Sequence, residues 1–308
     1  MIEARLGIDL GGTKIEAIVM AADGKITHKK RVKTPSDNYT AVLETIQQLV
    51  LGIQDDADIS APLALGIGTP GAVSYQTGLM KNCNTTCLNG RPLREDLETA
   101  LGRPVRIAND ADCFTLSEAN DGAGSEVDNV FGVILGTGAG GGICINQHLV
   151  QGVNSITGEL GHNPLPMDNL INNNALPAID SRQCYCGRTN CVESWLAGPS
   201  FEKSYEILTN TSLTAPDIVK LVEKGDDIAT QLMEQYHNML ALALANVINI
   251  LDPAVIVLGG GMSNISSLYT GVYKYLDDYV FSDRVDTKIK KAVHGDSSGV
   301  RGAAWLWS

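Results

Sequence analysis

Ile8-Asp9-Leu10-Gly11-Gly12-Thr13-Lys14 is the stretch on which the reading of this chain turns. A run of apolar strand formers, Leu6 to Leu10, stops at two glycines and a threonine, and a second strand-like run, Ile15 to Met20, follows. Glycine suits such a corner. Without a Cβ it takes φ > 0 at little cost, lets backbone N–H groups converge, and admits an anion close to the main chain. Thr13 adds a hydroxyl donor. The carboxylate of Asp9 would repel phosphate unless a divalent cation stood between them, so the pairing points to a nucleotide with magnesium. A partial echo, Leu135-Gly136-Thr137-Gly138-Ala139-Gly140-Gly141-Gly142, again joins two strand-like runs, Val130 to Leu135 and Gly142 to Ile145. The competing reading of either stretch is an ordinary hairpin corner.

Two other phosphate motifs come close. A P-loop needs G-x-x-x-x-G-K-[ST], but here Lys14 follows Thr13 rather than a glycine. Gly136, Gly138 and Gly141 do spell G-x-G-x-x-G after a strand, with Glu159 downstream, as in a dinucleotide-binding oxidoreductase. That fingerprint must open a helix, and Gly142-Ile143-Cys144-Ile145 reads as strand.

The 308 residues suffice for about two domains. A hydrophobic content of 44% with 19% charged residues fits a globular protein. No stretch approaches the ~18 continuous apolar residues of a membrane helix, and Met1 to Arg5 lead straight into a strand without a signal peptide, so a cytoplasmic location is expected. The net charge of −12 disfavours nucleic acid and anionic membrane as partners. A phosphate ligand must then be held by local backbone dipoles and a metal. Three of the seven cysteines fall between positions 184 and 191, a spacing closer to metal ligation than to a disulfide framework.

Along the chain, strands and helices alternate. Tyr39 to Gln54 carries Val42, Ile46, Leu49, Val50 and Ile53 on one helical face. Strand Leu63 to Ile67 ends in a Gly68-Thr69-Pro70-Gly71 turn, Pro92 opens a helix through Leu101 that Gly102 closes, and strand Val105 to Ala108 delivers Asn109-Asp110 to its carboxyl end. In open α/β sheets that edge binds ligands. The order restarts near Asn129, and Gly136 lies 125 positions after Gly11, the pattern of a diverged duplication. Gln151 to Gly198 is irregular and rich in Asn, Gly, Pro and Cys, as in a functional or metal-clipped loop. A long core helix is expected from Ile228 to Leu251, then strand Val255 to Leu258 running into Gly259-Gly260-Gly261, a helix from Ser266 to Val280, a strand near Thr287 to Ala292, and an apolar terminal segment, Val300 to Trp307.

Asp110 is the candidate catalytic base. Its carboxylate is ionised at neutral pH with an ordinary pKa near ~4, and phosphoryl transfer through a loose transition state demands little basicity. Asn109 beside it can orient a polyol. The competing role for Asp110 is the N-cap of a helix from Ala111 to Ala119. Glu159-Leu160-Gly161-His162 and Glu193 offer the carboxylates and imidazole that recognise sugar hydroxyls. Cys184, Cys186 and Cys191, with His162 22 residues before the first, make the Cys3His set of a closed structural zinc site. The alternative is three unligated thiols in a loop. Cys83, Cys87, Cys113 and Cys144 lack such spacing and read as inert thiols.

Together, Asp9-Leu10-Gly11-Gly12-Thr13-Lys14, Pro70-Gly71, Asn109-Asp110-Ala111, Leu135-Gly136-Thr137-Gly138, Glu159-x-Gly161-His162, the cysteine cluster ending in Cys191-Val192-Glu193, and Leu258-Gly259-Gly260-Gly261 resemble the bacterial sugar kinases of the repressor, open-reading-frame and kinase (ROK) family. The resemblance covers essentially the whole chain. It implies an α/β protein of two ribonuclease-H-like, actin-like ATPase domains with a cleft between them: 1–120 joined by a terminal helix at 294–308, and 121–293 with the zinc-binding loop. It implies a hexose and ATP as small-molecule ligands, Mg2+ with the nucleotide, a structural Zn2+, and a homodimer. By position, Asp9, Gly11, Gly12, Thr13 and Lys14 with Gly136, Thr137 and Gly138 bracket the ATP phosphates, and Gly259, Gly260 and Gly261 lie against the adenosine. Asp110 is the base. Gly71, Asn84, Asn109, Asp110, Glu159, His162 and Glu193 line the sugar, and His162, Cys184, Cys186 and Cys191 bind zinc.

One departure is the insert Asn172-Asn173-Asn174 between His162 and Cys184. Lys81 to Gly90, His162 to Pro166 and His294 to Gly302 look most like the fructokinases that also accept mannose, with N-acetylglucosamine kinase or glucokinase as the alternative. A sugar-sensing repressor of the same family would need a DNA-binding segment before the first corner, and eight residues precede Asp9.

Overall fold

A computed structural model describes residues 4–170 and 181–308, and the Asn172-Asn173-Asn174 insert lies outside the described residues. Strands β1 (Ala4–Leu10) and β2 (Lys14–Ala21) form an antiparallel hairpin that sets Asp9 opposite Glu16. Edge strand β3 (Ile26–Lys33) pairs with β2. Helix α1 (Tyr39–Asp56) starts where Asn38 accepts the Ala41 N–H at 3.1 Å, and it buries the stripe Val42, Ile46, Leu49, Val50 and Ile53. Then come β4 (Leu65–Thr69), the short hairpin β5 (Ala72–Val73) and β6 (Met80–Lys81), α2 (Leu93–Leu101) closed by left-handed Gly102, β7 (Val105–Asn109) and α3 (Asp110–Asp121).

The sheet order is β3-β2-β1-β4-β7, with β1, β4 and β7 parallel. Register places Asp9 beside Gly68 and Thr69 beside Asn109. The carboxyl edge of three neighbouring strands thus gathers the polar residues that the sequence singled out.

The second half starts with β8 (Asn129–Leu135), β9 (Ala139–Ile145) and β10 (His148–Leu149). Helices α4 (Glu193–Leu196), α5 (Gly198–Thr209), α6 (Ala215–Glu223) and α7 (Asp227–Leu251) follow, the last capped by Asp226 through the Ala229 N–H. Next are β11 (Val255–Gly259), α8 (Leu268–Gly271), α9 (Tyr273–Tyr279), β12 (Lys288–Lys291) and the terminal α10 (Ser298–Trp305). This sheet runs β10-β9-β8-β11-β12, with β8, β11 and β12 parallel. A hairpin flanked by parallel strands recurs in both halves, as a duplicated unit would produce. The single helix expected from Ser266 to Val280 is instead two. The break falls at Gly271, where a Cβ would sit 2.4 Å from Nδ1 of His237, so the backbone lies directly against that buried ring.

Two compact units emerge: Met1–Asp128 with Gly142–Thr157 and Val293–Ser308, and Asn129–Gly141 with Gly158–Ala292. In the first, α1 and α2 cover one face of the sheet through a core that includes Leu6, Ile8, Ile46, Ile53, Leu65 and Leu97. Helix α10 packs Val300 and Ala304 on Ile18 and Met20. Its approach depends on glycine: a Cβ on Gly66 would lie 1.8 Å from the Ala303 carbonyl oxygen, and one on Gly7 2.3 Å from that of Val300. Among the described residues, no helix is long and apolar enough to cross a membrane.

Candidate active site

In the first unit the β1–β2 corner is closed by the Gly11 N–H donating to the Lys14 carbonyl at 3.0 Å. Thr34, just past the end of β3, braces it, its hydroxyl on the Gly11 carbonyl at 2.7 Å and its N–H on that of Thr13 at 3.1 Å. Gly12 and Thr13 remain exposed. The expected use of positive φ is not observed: none of Gly11, Gly12, Gly136 and Gly138 adopts the left-handed backbone. The missing Cβ matters at Gly11, where it would lie 3.1 Å from the Lys14 carbonyl oxygen. The first corner is therefore glycine-rich for close approach rather than for handedness.

Burial, then the charges of Asp110 and Glu16, push the Asp9 carboxyl up to about 6, and Lys14 and Arg31 offset this only in part. Glu16 shows the contrast. Burial alone would raise it, but the hydrogen bonds of Lys29 and Arg31 outweigh burial and hold it below the usual carboxylate range. Asp9 instead feels the charge of a second carboxylate, that of Asp110. Two carboxylates beside a backbone corner are an oxygen set that fits a divalent cation.

Asp110 is the first residue of α3 and is exposed. The cap is Asn109, whose side chain accepts the Ala111 N–H at 2.8 Å; the Asp110 carboxylate accepts the same N–H at 2.8 Å. The N-cap position expected as the competing role for Asp110 thus belongs to its neighbour. Gly71 is buried at the start of the β5–β6 hairpin, where a Cβ would lie 2.5 Å from Sγ of Cys83. Asn89 clamps both backbone groups of Cys83, at 2.8 and 3.0 Å. That clamp fixes the segment on which Asn84 is presented, exposed.

In the second unit the β8–β9 corner folds back with the Gly136 N–H on the Gly138 carbonyl at 2.9 Å. The Glu193 carboxylate accepts the Ala139 N–H at 3.0 Å, and a Cβ on Gly138 would lie 2.5 Å from it. Helix α5 starts on the same corner through the Gly198 N–H and the Gly136 carbonyl at 2.8 Å. Gly260, at φ +78°, lies so close that a Cβ would be 2.4 Å from the Leu135 carbonyl oxygen, with Gly259 and Gly261 on either side. Thr137, Glu193 and Tyr185 share a cavity of about 730 Å3. That size is ordinary for a small-molecule site.

The ligand atoms of His162, Cys184, Cys186 and Cys191 lie within 4.8 Å of one another. Sγ of Cys186 is 3.6 Å from that of Cys191, and Sγ of Cys184 is 3.7 Å from Nδ1 of His162. A tetrahedral ion with bonds of about 2.0–2.3 Å needs ligand separations of about 3.5–3.8 Å. The four side chains could hold a metal ion. The other imidazole nitrogen, Nε2, is 2.9 Å from the hydroxyl of Tyr185, with the rings edge to face. Burial, then Glu193, Cys184 and Glu159, push the Tyr185 phenol up to about 12. Glu159 itself is exposed at the entry to the turn that carries His162.

The sequence pattern of the ROK family matches residues 5–308. The chain belongs to the ROK family. It is 39% identical over 302 residues to the N-acetyl-D-glucosamine kinase of Salmonella paratyphi B, covering 97% of this chain and 98% of that relative. Among solved structures it is similar to the ROK hexokinase of Thermus thermophilus, with TM-score 0.85, 28% identity and coverage of 98% of this chain and 97% of that one. It is also similar to a ROK glucokinase of Streptomyces griseus in complex with glucose and AMPPNP, with TM-score 0.75, 26% identity and 98% coverage of both chains.

This ROK chain is accordingly an ATP-dependent hexose kinase on the two-domain actin-like ATPase fold, and ATP with Mg2+ is its phosphoryl donor. The narrower expectation of a fructokinase finds no support in these relatives; the N-acetylglucosamine kinase alternative does. Sequence inspection of this ROK member passed over Tyr185, whose hydroxyl lies 2.9 Å from Nε2 of His162. Its one signal was its place between Cys184 and Cys186.

Proposed function

We propose that the chain transfers the γ-phosphate of ATP to the 6-hydroxyl of a hexose, with Asp110 accepting the proton of the attacking hydroxyl. The observation that carries this is the placement of Asp110 at the carboxyl end of β7, with Asn109 already committed to the cap and Asp9 close enough to couple to it. In a loose transition state the hydroxyl proton leaves late, so an exposed carboxylate is basic enough. Asn84, Asn109 and the Gly71 turn, with Glu159, His162 and Glu193, serve the sugar. Thr13, Lys14 and the backbone of Gly11 and Gly12, with Gly136, Thr137 and Gly138, hold phosphates, while Gly259, Gly260 and Gly261 accommodate the adenosine. Asp9 is the residue that would hold magnesium, which when bound neutralises triphosphate charge. His162, Cys184, Cys186 and Cys191 hold a structural zinc that fixes the loop bearing His162. The proposed location is cytoplasmic and the proposed assembly a homodimer, the latter tested by light scattering of the purified chain.

N-acetylglucosamine is the sugar supported by the 39% identical relatives. Fructose is the second reading, favoured by the stretches around Asn84 and Asn163. ADP release measured with N-acetylglucosamine, fructose, mannose and glucose separates them. The highest kcat/KM on N-acetylglucosamine is expected, a preference for fructose would transfer the assignment, and no turnover on any hexose would overturn the reaction.

A further inference from the structure

Strand β3 carries Lys29, Lys30, Arg31 and Lys33, and all but the last have acidic partners. Lys29 and Arg31 both pair with Glu16, and Lys30 pairs with Asp56. Lys33 is exposed and makes no hydrogen bond or ion pair among the described residues. Register sets it directly opposite Lys14, the residue that follows the Gly11-Gly12-Thr13 corner. Because the Thr34 N–H donates to the Thr13 carbonyl at 3.1 Å, Lys14 and Lys33 form a non-hydrogen-bonded pair. That is the closer of the two antiparallel kinds, with Cβ atoms about 4.5–5.5 Å apart. Both side chains leave the same face as Asp9, Glu16 and Arg31, which form the adjoining row across β1, β2 and β3. Like charges opposed in this way destabilise a sheet. Lysine on an edge strand does guard against edge pairing, but Lys29, Lys30 and Arg31 already serve that purpose, and each of them lies opposite an apolar or acidic residue.

We propose that Lys33 is a second cationic contact of the Gly11-Gly12 corner, gripping with Lys14 the phosphates of the nucleotide donor. An anion between the two ammonium groups turns a repulsive pair into a clamp. Each ammonium is a point charge on a flexible stem, so the pair supplies charge while the backbone N–H groups of the corner supply orientation. In a chain of net charge −12, local cations of this kind offset the general repulsion of a triphosphate. A hexose is uncharged and gains nothing from them. The inference rests on the phosphate role proposed for Gly11 to Lys14, and it adds a residue which that role does not require.

Lys33→Gln in the full-length protein tests it, with Lys33→Arg as the control, because the neighbouring Thr34 braces the corner. KM is measured for MgATP and for the hexose separately at low and high ionic strength, and melting is followed with and without MgATP. Loss of one exposed charge contact predicts a KM for MgATP higher by about fivefold at low ionic strength, with the difference shrinking as salt is added. Arginine should restore the wild-type value, and the KM for the hexose should not move. Without ligand the glutamine variant should melt no lower than wild type, since a like-charge pair has been removed, yet it should gain less from added MgATP. An unchanged KM for MgATP would overturn the proposal. So would a rise that arginine fails to restore, or a change confined to the hexose, since neither follows from charge. Wild-type protein whose melting does not respond to MgATP would instead sink the phosphate reading of the corner itself.

Discussion

The carboxylate of Glu118 accepts the hydroxyl of Ser298 at 2.9 Å, joining α3 to the first turn of α10 across 180 positions of sequence. The same fully buried carboxylate takes the N–H groups of Ala123 at 3.0 Å, Val293 at 3.0 Å and His294 at 3.2 Å. Four donors on one buried acceptor leave no substitute. Glu118→Gln replaces one acceptor oxygen with a donor, stranding two of the four. At about 1–3 kcal/mol for each stranded group, melting is expected to fall by roughly 5–10 °C. A thermal scan showing no change would refute this account of the terminal helix.

Asp9 is a site where stability and activity should part. Its folded carboxyl lies near 6, above the ordinary 3.8. The folded state therefore binds more protons than the unfolded chain between those values, and stability declines as pH rises through that window. At pH 7 keeping Asp9 ionised costs on the order of 1–3 kcal/mol. Asp9→Asn is expected to raise the melting temperature at pH 7 while lowering kcat/KM for MgATP by about 10²-fold or more. In the wild type, kcat/KM for MgATP is expected to fall as pH drops through about 6. A variant less stable than wild type at pH 7 would contradict the burial argument.

Which features were readable beforehand follows from how local their causes are. The two strand-corner-strand units declared themselves because an apolar run and its glycines are contiguous, and the α1 stripe because helical period is local. Cysteine spacing sufficed to place Cys184, Cys186 and Cys191 together, and His162 joined them from 22 positions away. The role of Glu118 was illegible, since three of its donors come from 175 or more positions downstream. Of the roles expected of the corner glycines, positive φ is not used, and at Gly138 it is the carboxylate of the distant Glu193 that leaves no room for a Cβ. Asn109 and Asp110 both favour capping, and only the backbone turn shows which of them caps α3.

If Asp110 is the base, Asp110→Asn removes the proton acceptor but keeps side-chain size and its place in the first turn of α3. Turnover is expected to fall by ~10²-fold or more. Sugar affinity and melting temperature should change little, because Asn109 still caps the helix. Steady-state ADP release and calorimetry separate the effects. Full activity in the variant would leave Asp110 an ordinary first-turn acid.

The cysteine cluster predicts about one zinc per chain by elemental analysis. Cys191 is the most telling ligand to change because it is buried, at 1% exposure. Cys191→Ser should lower zinc content and melting temperature together, and chelation of the wild type should reproduce the drop, since metal binding energy becomes folding energy. Active protein with no bound metal would end the assignment.

Thr85 gives the converse kind of prediction, a gain. Its hydroxyl is buried with no hydrogen-bond partner among the described residues. It precedes the turn Thr86–Leu88 without capping it, and it lies 3.5 Å from where a Cβ on Gly12 would be. Thr85→Val keeps the shape and removes the unmet polar group. Stability should rise by about 1 kcal/mol, read as a melting temperature higher by roughly 2–4 °C. Thr85→Ala lacks the methyl group and should not share the gain. Destabilisation by valine would show that the hydroxyl is satisfied after all. Its nearness to Gly12 would then make the Gly11-Gly12 corner the place to look for its partner, with nucleotide affinity in Thr85→Val as the measurement.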